Sequence, residues 1–442
     1  MFLGVKFVVL LAYLFIGYKW NQKNNTSLAL KLVFWIVLVR LMLSSIHEFT
    51  YINIAAGLSI ISIFSICIVG VILIYLTRIR YPYILGSQFL LVKILILVML
   101  VSGAFGNVVL SIVEGIKWVF LVCMMCVLIV AIKENKALLV IRALCVVYSY
   151  PVFLVLLSIV FMEVKASEAD GSRSFIGGFN HESAFSVILF TSTFLFLAHA
   201  EATKKSVAVK FGILMIGLVL IFLVNYRTTI MAYLIFFGSY CFLVFLQSGI
   251  REKLLSLIPL LLVLLVAPFM VSASLLERFE EIPQFMADIA ELLVPYDYYY
   301  NQDRKYFSGR LYIWNVYFMG WYESSGLEQL IGHGPGSWRS FYTLYAHNTY
   351  ISALYEIGVV GFLILILIFT ITFFKLIALS NRPVLRIALC SMLGFLVLNM
   401  ATMPLWQIEG VVLFSIICVF AEKNAMQQDD FLLRHESCLR NA

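Results

Sequence analysis

Residues 54–77 read IAAGLSIISIFSICIVGVILIYLT, an apolar run without one charged side chain. A spanning helix needs about 20 consecutive apolar residues, and this run supplies them. Twelve more of similar character lie along the chain, at about 2–18, 28–45, 86–108, 117–132, 138–162, 183–199, 209–225, 229–246, 254–271, 350–374, 384–401 and 406–421. Only helices and closed barrels satisfy their backbone in hydrocarbon. The runs lack the strict alternation of barrel strands, so they read as helices. Composition agrees: of 442 residues, 63% are hydrophobic and 12% charged, with a mean hydropathy of +1.00. An ordinary soluble domain carries roughly 25% charged and 45–50% apolar residues. Half that charge cannot cover a water-soluble globule of this size, which excludes a soluble enzyme, a nucleic-acid-binding module and a disordered scaffold. The fold class is therefore all-α, a polytopic membrane protein of about 12–13 transmembrane helices.

The net charge of +7 comes mostly from Lys and Arg in short loops, where they orient a chain in the bilayer. Lys19 and Lys23, Arg78 and Arg80, Lys133 and Lys136, Lys204 and Lys205, Arg251 and Lys253, and Arg382 and Arg386 fall in alternate loops. Those loops are expected in the cytoplasm, and an odd number of spans puts the N-terminus outside. Starting the fourth run at Ile94 would leave Lys93 at the inner boundary. The first run contains Lys6 and lacks a small-residue cleavage site, so it reads as a retained span. Cys67, Cys123, Cys126, Cys145, Cys241, Cys390 and Cys418 lie inside apolar runs, and Cys438 lies in the tail. That placement argues against disulfides, and Cys123-x-x-Cys126 lacks a second ligand pair for a metal.

Two loops on the opposite side are long. One, at about 162–183, carries Arg173, Gly177, Gly178, Asn180, His181 and Glu182; the other runs from about 272 to 348. Loops of that length are functional or disordered. The second contains helical spacing at Leu275, Leu276, Phe279, Ile282, Phe285, Met286 and Ile289, which predicts a helix on the membrane surface or over a cavity. The expected organisation is helices one to ten over 1–271, a large external loop over 272–348, helices eleven to thirteen over 349–421 and a cytoplasmic tail over 422–442.

Polar function concentrates in that loop, at Ser308-Gly309-Arg310-Leu311-Tyr312-Ile313-Trp314, then Gly332-His333-Gly334-Pro335-Gly336-Ser337, then Ala346-His347-Asn348. Nine residues separate Asn348 from Gly358, and Gly361 follows. This pattern resembles the signature of the bacterial O-antigen ligase and Wzy-type polysaccharide polymerase superfamily, over roughly residues 308–362. One arginine in Asn225-Tyr226-Arg227-Thr228-Thr229, between the eighth and ninth spans, adds to it. The resemblance implies glycosyl transfer at the outer face of the bacterial plasma membrane. The donor would be a glycan on a polyprenyl diphosphate, and transfer would proceed with inversion and without metal or other cofactor. Its partners would be that donor, a glycan acceptor, the bilayer and, as a further candidate, a chain-length regulator, with no nucleic acid.

The residue chemistry agrees with that implication. A diphosphate leaving group gathers negative charge as the glycosidic bond breaks, and a guanidinium fork suits its oxygens better than an ammonium does. Arg227 and Arg310 lie in separate loops that must converge for such a clamp. An acceptor hydroxyl must lose a proton, and His347 is the expected base; its structural alternative is a cap on the eleventh helix. Asn348 would orient the imidazole or the sugar. Gly358 and Gly361, one turn apart, would admit another helix or a lipid chain closely. The Gly332–Gly336 stretch reads as a turn near the cavity, with His333 and Arg339 as second-tier substrate contacts. Arg173 and His181 are candidates for contact with the acceptor glycan, or simply solvated loop residues. The tyrosines at 296 and 298–300 fit an interfacial aromatic belt. Arg40 either faces the cavity beside His47 and Glu48 or snorkels.

Three functions remain in play. A polymerase of lipid-linked repeat units leads. A ligase moving finished glycan to lipid A core or protein shares its donor and its motif. A lipid-linked sugar transporter would show repeated halves and ionisable groups at the midplane, and neither is visible in the sequence.

Overall fold

The computed structural model describes residues 2–55, 58–79, 87–166, 173–247, 249, 253, 295–299 and 309–422. Ten described helices are long and apolar enough to cross a membrane: α1 (Phe2–Lys23), α2 (Leu28–Ser45), α4 (Ile60–Arg78), α6 (Val108–Asn135), α7 (Ala137–Val160), α8 (Glu182–Ala202), α9 (Val207–Val224), α10 (Arg227–Gln247), α14 (Thr349–Ala378) and α15 (Pro383–Ala401). Two shorter apolar helices, α5 (Ser87–Phe105) and α16 (Ile408–Phe420), accompany them. The protein is an all-α polytopic membrane protein. Short helices α3 (His47–Thr50), α11 (Arg310–Tyr322), α12 (Gly326–Ile331) and α13 (Trp338–Phe341) lie in the connections. The tenth apolar run, the helical pattern at 275–293 and the tail beyond 422 lie outside the described residues.

The ends of the helices are written in hydroxyls and amides. Ser27, Ser59, Asn107 and Ser206 each accept from a backbone N–H of the first turn of α2, α4, α6 and α9, the partners those orphan donors need. The run at 54–77 does not become helical throughout. Strands β1 (Asn53–Ala55) and β2 (Leu58–Ser59) pair antiparallel across its start, and α4 begins only after the Ser59 cap.

Helix α8 lies at the centre, against α7, α9, α15 and α16, and its side chains are almost all buried. Peripheral α1 instead exposes Val8, Leu11 and Phe15 to 62–67%, as a lipid-facing helix must. Its Lys6 is 2% exposed, donating to the Ser45 carbonyl at 3.0 Å and pairing with Glu48 at 3.0 Å. A charge held that way is compensated where hydrocarbon would not solvate it.

Helix α14 is broken. Gly358 stands at φ 65° and ψ −175° within it. The gap is filled by backbone from the segment after α12: His333 and Gly334 donate to the carbonyls of Tyr355 and Glu356 at 3.0 and 2.9 Å. Ser102 of α5 donates to the Glu356 carbonyl at 2.9 Å, and the Glu356 carboxylate accepts from Gly336 N–H and Ser352 Oγ, both at 2.8 Å. Interrupted helix at membrane depth survives only with its backbone re-satisfied in this manner. The close approach expected at Gly358 is made by the C-terminal end of helix α12: a Cβ there would sit 2.4 Å from the Leu330 carbonyl. At Gly361 a Cβ would meet the chain's own Ile357 side chain at 2.6 Å, so no second helix or lipid is what that glycine makes room for. Gly358→Ala should lower stability by about 1–3 kcal/mol from strained φ and backbone overlap. Thermal unfolding of the purified protein checks this, with Gly238→Ala, whose Cβ meets nothing within 4 Å, as the silent control.

Candidate functional site

Helix α11 positions the first candidate. Its face of Ile313, Trp314, Tyr317 and Trp321 recurs at helical spacing and packs against the chain leading into α14. Trp314 Nε1 donates to the Ala346 carbonyl at 2.9 Å, and the Tyr317 hydroxyl donates to the Leu344 carbonyl at 2.8 Å. The Tyr317 ring packs on Tyr342 and Tyr355, at centroid distances of 4.4 and 5.2 Å. These contacts bind the middle of α11 to residues 344–346. Arg310, the first residue of α11, stands beside the junction of α9 and α10. Its Nη1 and Nη2 reach Thr228 Oγ1 and the Tyr226 hydroxyl, each at a long 3.4 Å, and its guanidinium lies 6.0 Å from the Tyr226 ring centroid.

His347 occupies left-handed backbone, φ 51°, which non-glycine residues rarely adopt and which tends to mark functional sites. Its ring lies 3.8 Å from that of Tyr345. Burial first, then the charges of Arg310 and His181, push its imidazole down to about 4. The ring is therefore neutral at neutral pH and holds a free lone pair. Partly buried Tyr226 feels both Arg310 and Arg227, and desolvation raises its phenol above the ordinary range. Arg227, Arg310 and His347, far apart in sequence, thus share one electrostatic neighbourhood with Tyr226, Tyr345 and His181.

The other predicted residues separate. Asn348 is the cap of α14: its Oδ1 accepts from Tyr350 N–H and Ile351 N–H at 2.9 and 3.1 Å. The capping role foreseen for His347 thus belongs to its neighbour, and the Asn348 oxygen is not free for the imidazole. His181 caps α8, its Nδ1 accepting from Ser183 N–H at 3.1 Å, with the side chain about half exposed. Arg173 is exposed on β4 (Arg173–Ser174), paired with β3 (Lys165–Ala166), and is not drawn into the cluster by any described contact. His333 accepts or donates at Ser324 Oγ, 2.8 Å, and stacks on Tyr355. It serves the loop that mends α14. Arg339 lies 3.6 Å from Glu114 and over Trp338, half exposed. Tyr299 is 5% exposed and packs edge-on against Tyr312, so that member of the tyrosine run is core rather than belt. Among the described residues no three His, Cys, Asp or Glu side chains gather as a metal site needs.

A cavity of about 470 Å³ adjoins the cluster, with Tyr345 and His181 in its wall. Its far side holds Arg40, which neither snorkels nor meets His47 and Glu48; it pairs with Glu409 of α16 at 3.3 Å. Tyr226, Thr228, Tyr345 and Glu409 were not anticipated. Adjacency to Arg227 and His347 is a usable signal for the first three, but Glu409 shows none, since its partner lies at the other end of the chain.

Residues 212–366 match the family model described as O-antigen ligase. Over this region the chain is similar to the O-antigen ligase family. The match spans Arg227, Arg310, His347 and the break at Gly358, and reaches well beyond the motif at 308–362; Arg40, Arg173 and His181 lie outside it. The similarity supports a membrane glycan-transfer role with a lipid-linked donor and an acceptor. The comparison with curated proteins finds no match.

Proposed function

We propose that the protein is a metal-independent, inverting glycosyltransferase that polymerises repeat units carried on polyprenyl diphosphate at the outer face of the bacterial plasma membrane. The observation that carries this reading is Arg310, held on Tyr226 and Thr228 beside Arg227 while its charge acts on His347. Arg310 and Arg227 bind the diphosphate oxygens. The acceptor hydroxyl oxygen bonds to the anomeric carbon from the face opposite the leaving group. The bond from that carbon to the diphosphate breaks, and the leaving oxygen keeps the electron pair. His347 takes the hydroxyl proton.

A base whose pKa lies near 4 is weak at neutral pH, and efficient proton transfer prefers a closer match. Bound diphosphate supplies the remedy. Its negative charge offsets Arg310 and favours the imidazolium, so the pKa of His347 rises when the donor is seated. The kcat/KM profile, which reports the free enzyme, should fall only as pH drops through about 4. The kcat profile should break at higher pH. A kcat/KM limb near the ordinary histidine value of about 6.5 would contradict this electrostatic reading.

The orientation rests on connectivity. Helix α8 runs from the His181 cap to Lys204 and Lys205, and α9 returns from there to Arg227. The site loops and the paired lysines thus lie at opposite helix ends, and cytoplasmic lysines put the site outside. The described residues 309–348 then lie on the outer side. Polymerase and ligase differ only in acceptor. Purified protein supplied with lipid-linked repeat units, with and without lipid A core, decides between them by the size and anchor of the product; unchanged glycan in both arms overturns the transferase reading.

A further inference from the structure

Donors without acceptors lie behind the wall of the cavity beside His347. Arg40 spends Nη2 on Glu409, but its Nε and Nη1 are buried without a partner among the described residues, and so is Nε1 of Trp406. Both side chains line the cavity. Buried N–H groups left unpaired cost about 1–3 kcal/mol each, so they call for an acceptor. Glu409 complements them: it accepts from Ser44 Oγ at 3.2 Å and retains lone pairs. The charges are matched, Arg40 by Glu409 and Lys117 by Glu114 at 2.7 Å, so an anionic guest gains no uncompensated cation. The remaining wall mixes serine hydroxyls, the rings of Tyr51, Trp406 and Phe179, and aliphatic side chains such as Ile61, Ile66 and Val113.

We infer that this cavity is a subsite for a neutral sugar ring of the acceptor glycan, with Arg40 and Glu409 recognising its neighbouring hydroxyls. A sugar hydroxyl accepts and donates at once, as a guanidinium–carboxylate pair requires, and its C–H faces lie against aromatic rings. The ring belongs to the acceptor because the cavity shares Tyr345 and His181 with the surroundings of His347, whereas Tyr226 and Thr228, which hold Arg310, do not line it. Recognition at Arg40 and Glu409 thus sets which glycan presents its hydroxyl to the base. This inference rests on the glycan-transfer reading above.

The test titrates the purified full chain calorimetrically with the repeat oligosaccharide released from its lipid diphosphate by mild acid, and measures transfer in parallel. Arg40→Lys and Glu409→Gln should each weaken oligosaccharide binding, and raise the acceptor KM, by about tenfold, the loss of one charge-assisted hydrogen bond. Trp406→Phe, which removes the indole N–H together with part of the ring, should weaken both by several-fold. Arg310→Ala should bind the oligosaccharide as the parent does. Should Arg40→Lys or Glu409→Gln fail to fold, Trp406→Phe and Ser44→Ala carry the comparison. Equal binding by all variants, or no binding by the parent, overturns the subsite while leaving the transferase reading intact if transfer persists. Binding that weakens as stated, in a protein that transfers no glycan, supports the subsite and sinks the transferase.

Discussion

Arg310→Ala is expected to reduce glycan transfer by about 10²–10³-fold, the cost of removing a preorganised group aimed at developing charge. The fold should tolerate the change. Arg310 begins α11, but the helix is tied to residues 344–346 by Trp314 and Tyr317, and its own contacts to Tyr226 and Thr228 are long at 3.4 Å. Such contacts are weak anchors for a fold and leave the guanidinium able to turn to a phosphate. Arg310→Lys should recover part of the rate, because the charge remains and the two-pronged geometry does not. The check is the rate of product formation by purified protein, beside its unfolding temperature. A rate within threefold of the parent, at equal stability, would remove Arg310 from the clamp.

His347→Ala should cost about 10²–10⁴-fold in kcat, the span of general base catalysis, with acceptor KM little changed. Here the structure supplies a control. The helix start depends on Asn348, whose Oδ1 satisfies two N–H groups of α14. Asn348→Ala should therefore lose about 1 kcal/mol of stability and retain far more activity than His347→Ala. Unfolding temperature and kcat, measured on both variants, separate the capping role from the chemical one. If the two fall together in stability and His347→Ala keeps its rate, His347 is merely part of the helix entrance.

The all-α, many-span architecture was legible because the bilayer imposes a local rule: each crossing must carry its own apolar length and its own backbone hydrogen bonds. The limits of that rule are equally local. The start of α4 slipped to Ile60 where Ser59 caps and a short ladder takes the preceding residues. The glycines at 332 and 358 were visible as motif letters, but not the fact that Gly332 makes room for the backbone of Glu356 and Ile357, and Gly358 for that of Leu330 and Gly332. The sequence offered His347 as base or cap and Asn348 as its orienting neighbour; the cap proves to be Asn348, since a cap is decided by which oxygen meets the first turn.

What the amino-acid order settled alone was an all-α chain threaded repeatedly through lipid, with its polar chemistry gathered at 308–348 and in the short loop bearing Arg227. Tertiary structure decided the rest: that Tyr226 receives Arg310, that a loop mends the broken helix, and that Arg40 finds Glu409 in the wall of a cavity. The division has a physical cause. Transfer into hydrocarbon is summed residue by residue along one segment, whereas a hydrogen bond, an ion pair or a shifted pKa exists only between groups that packing has brought within a few ångströms of one another.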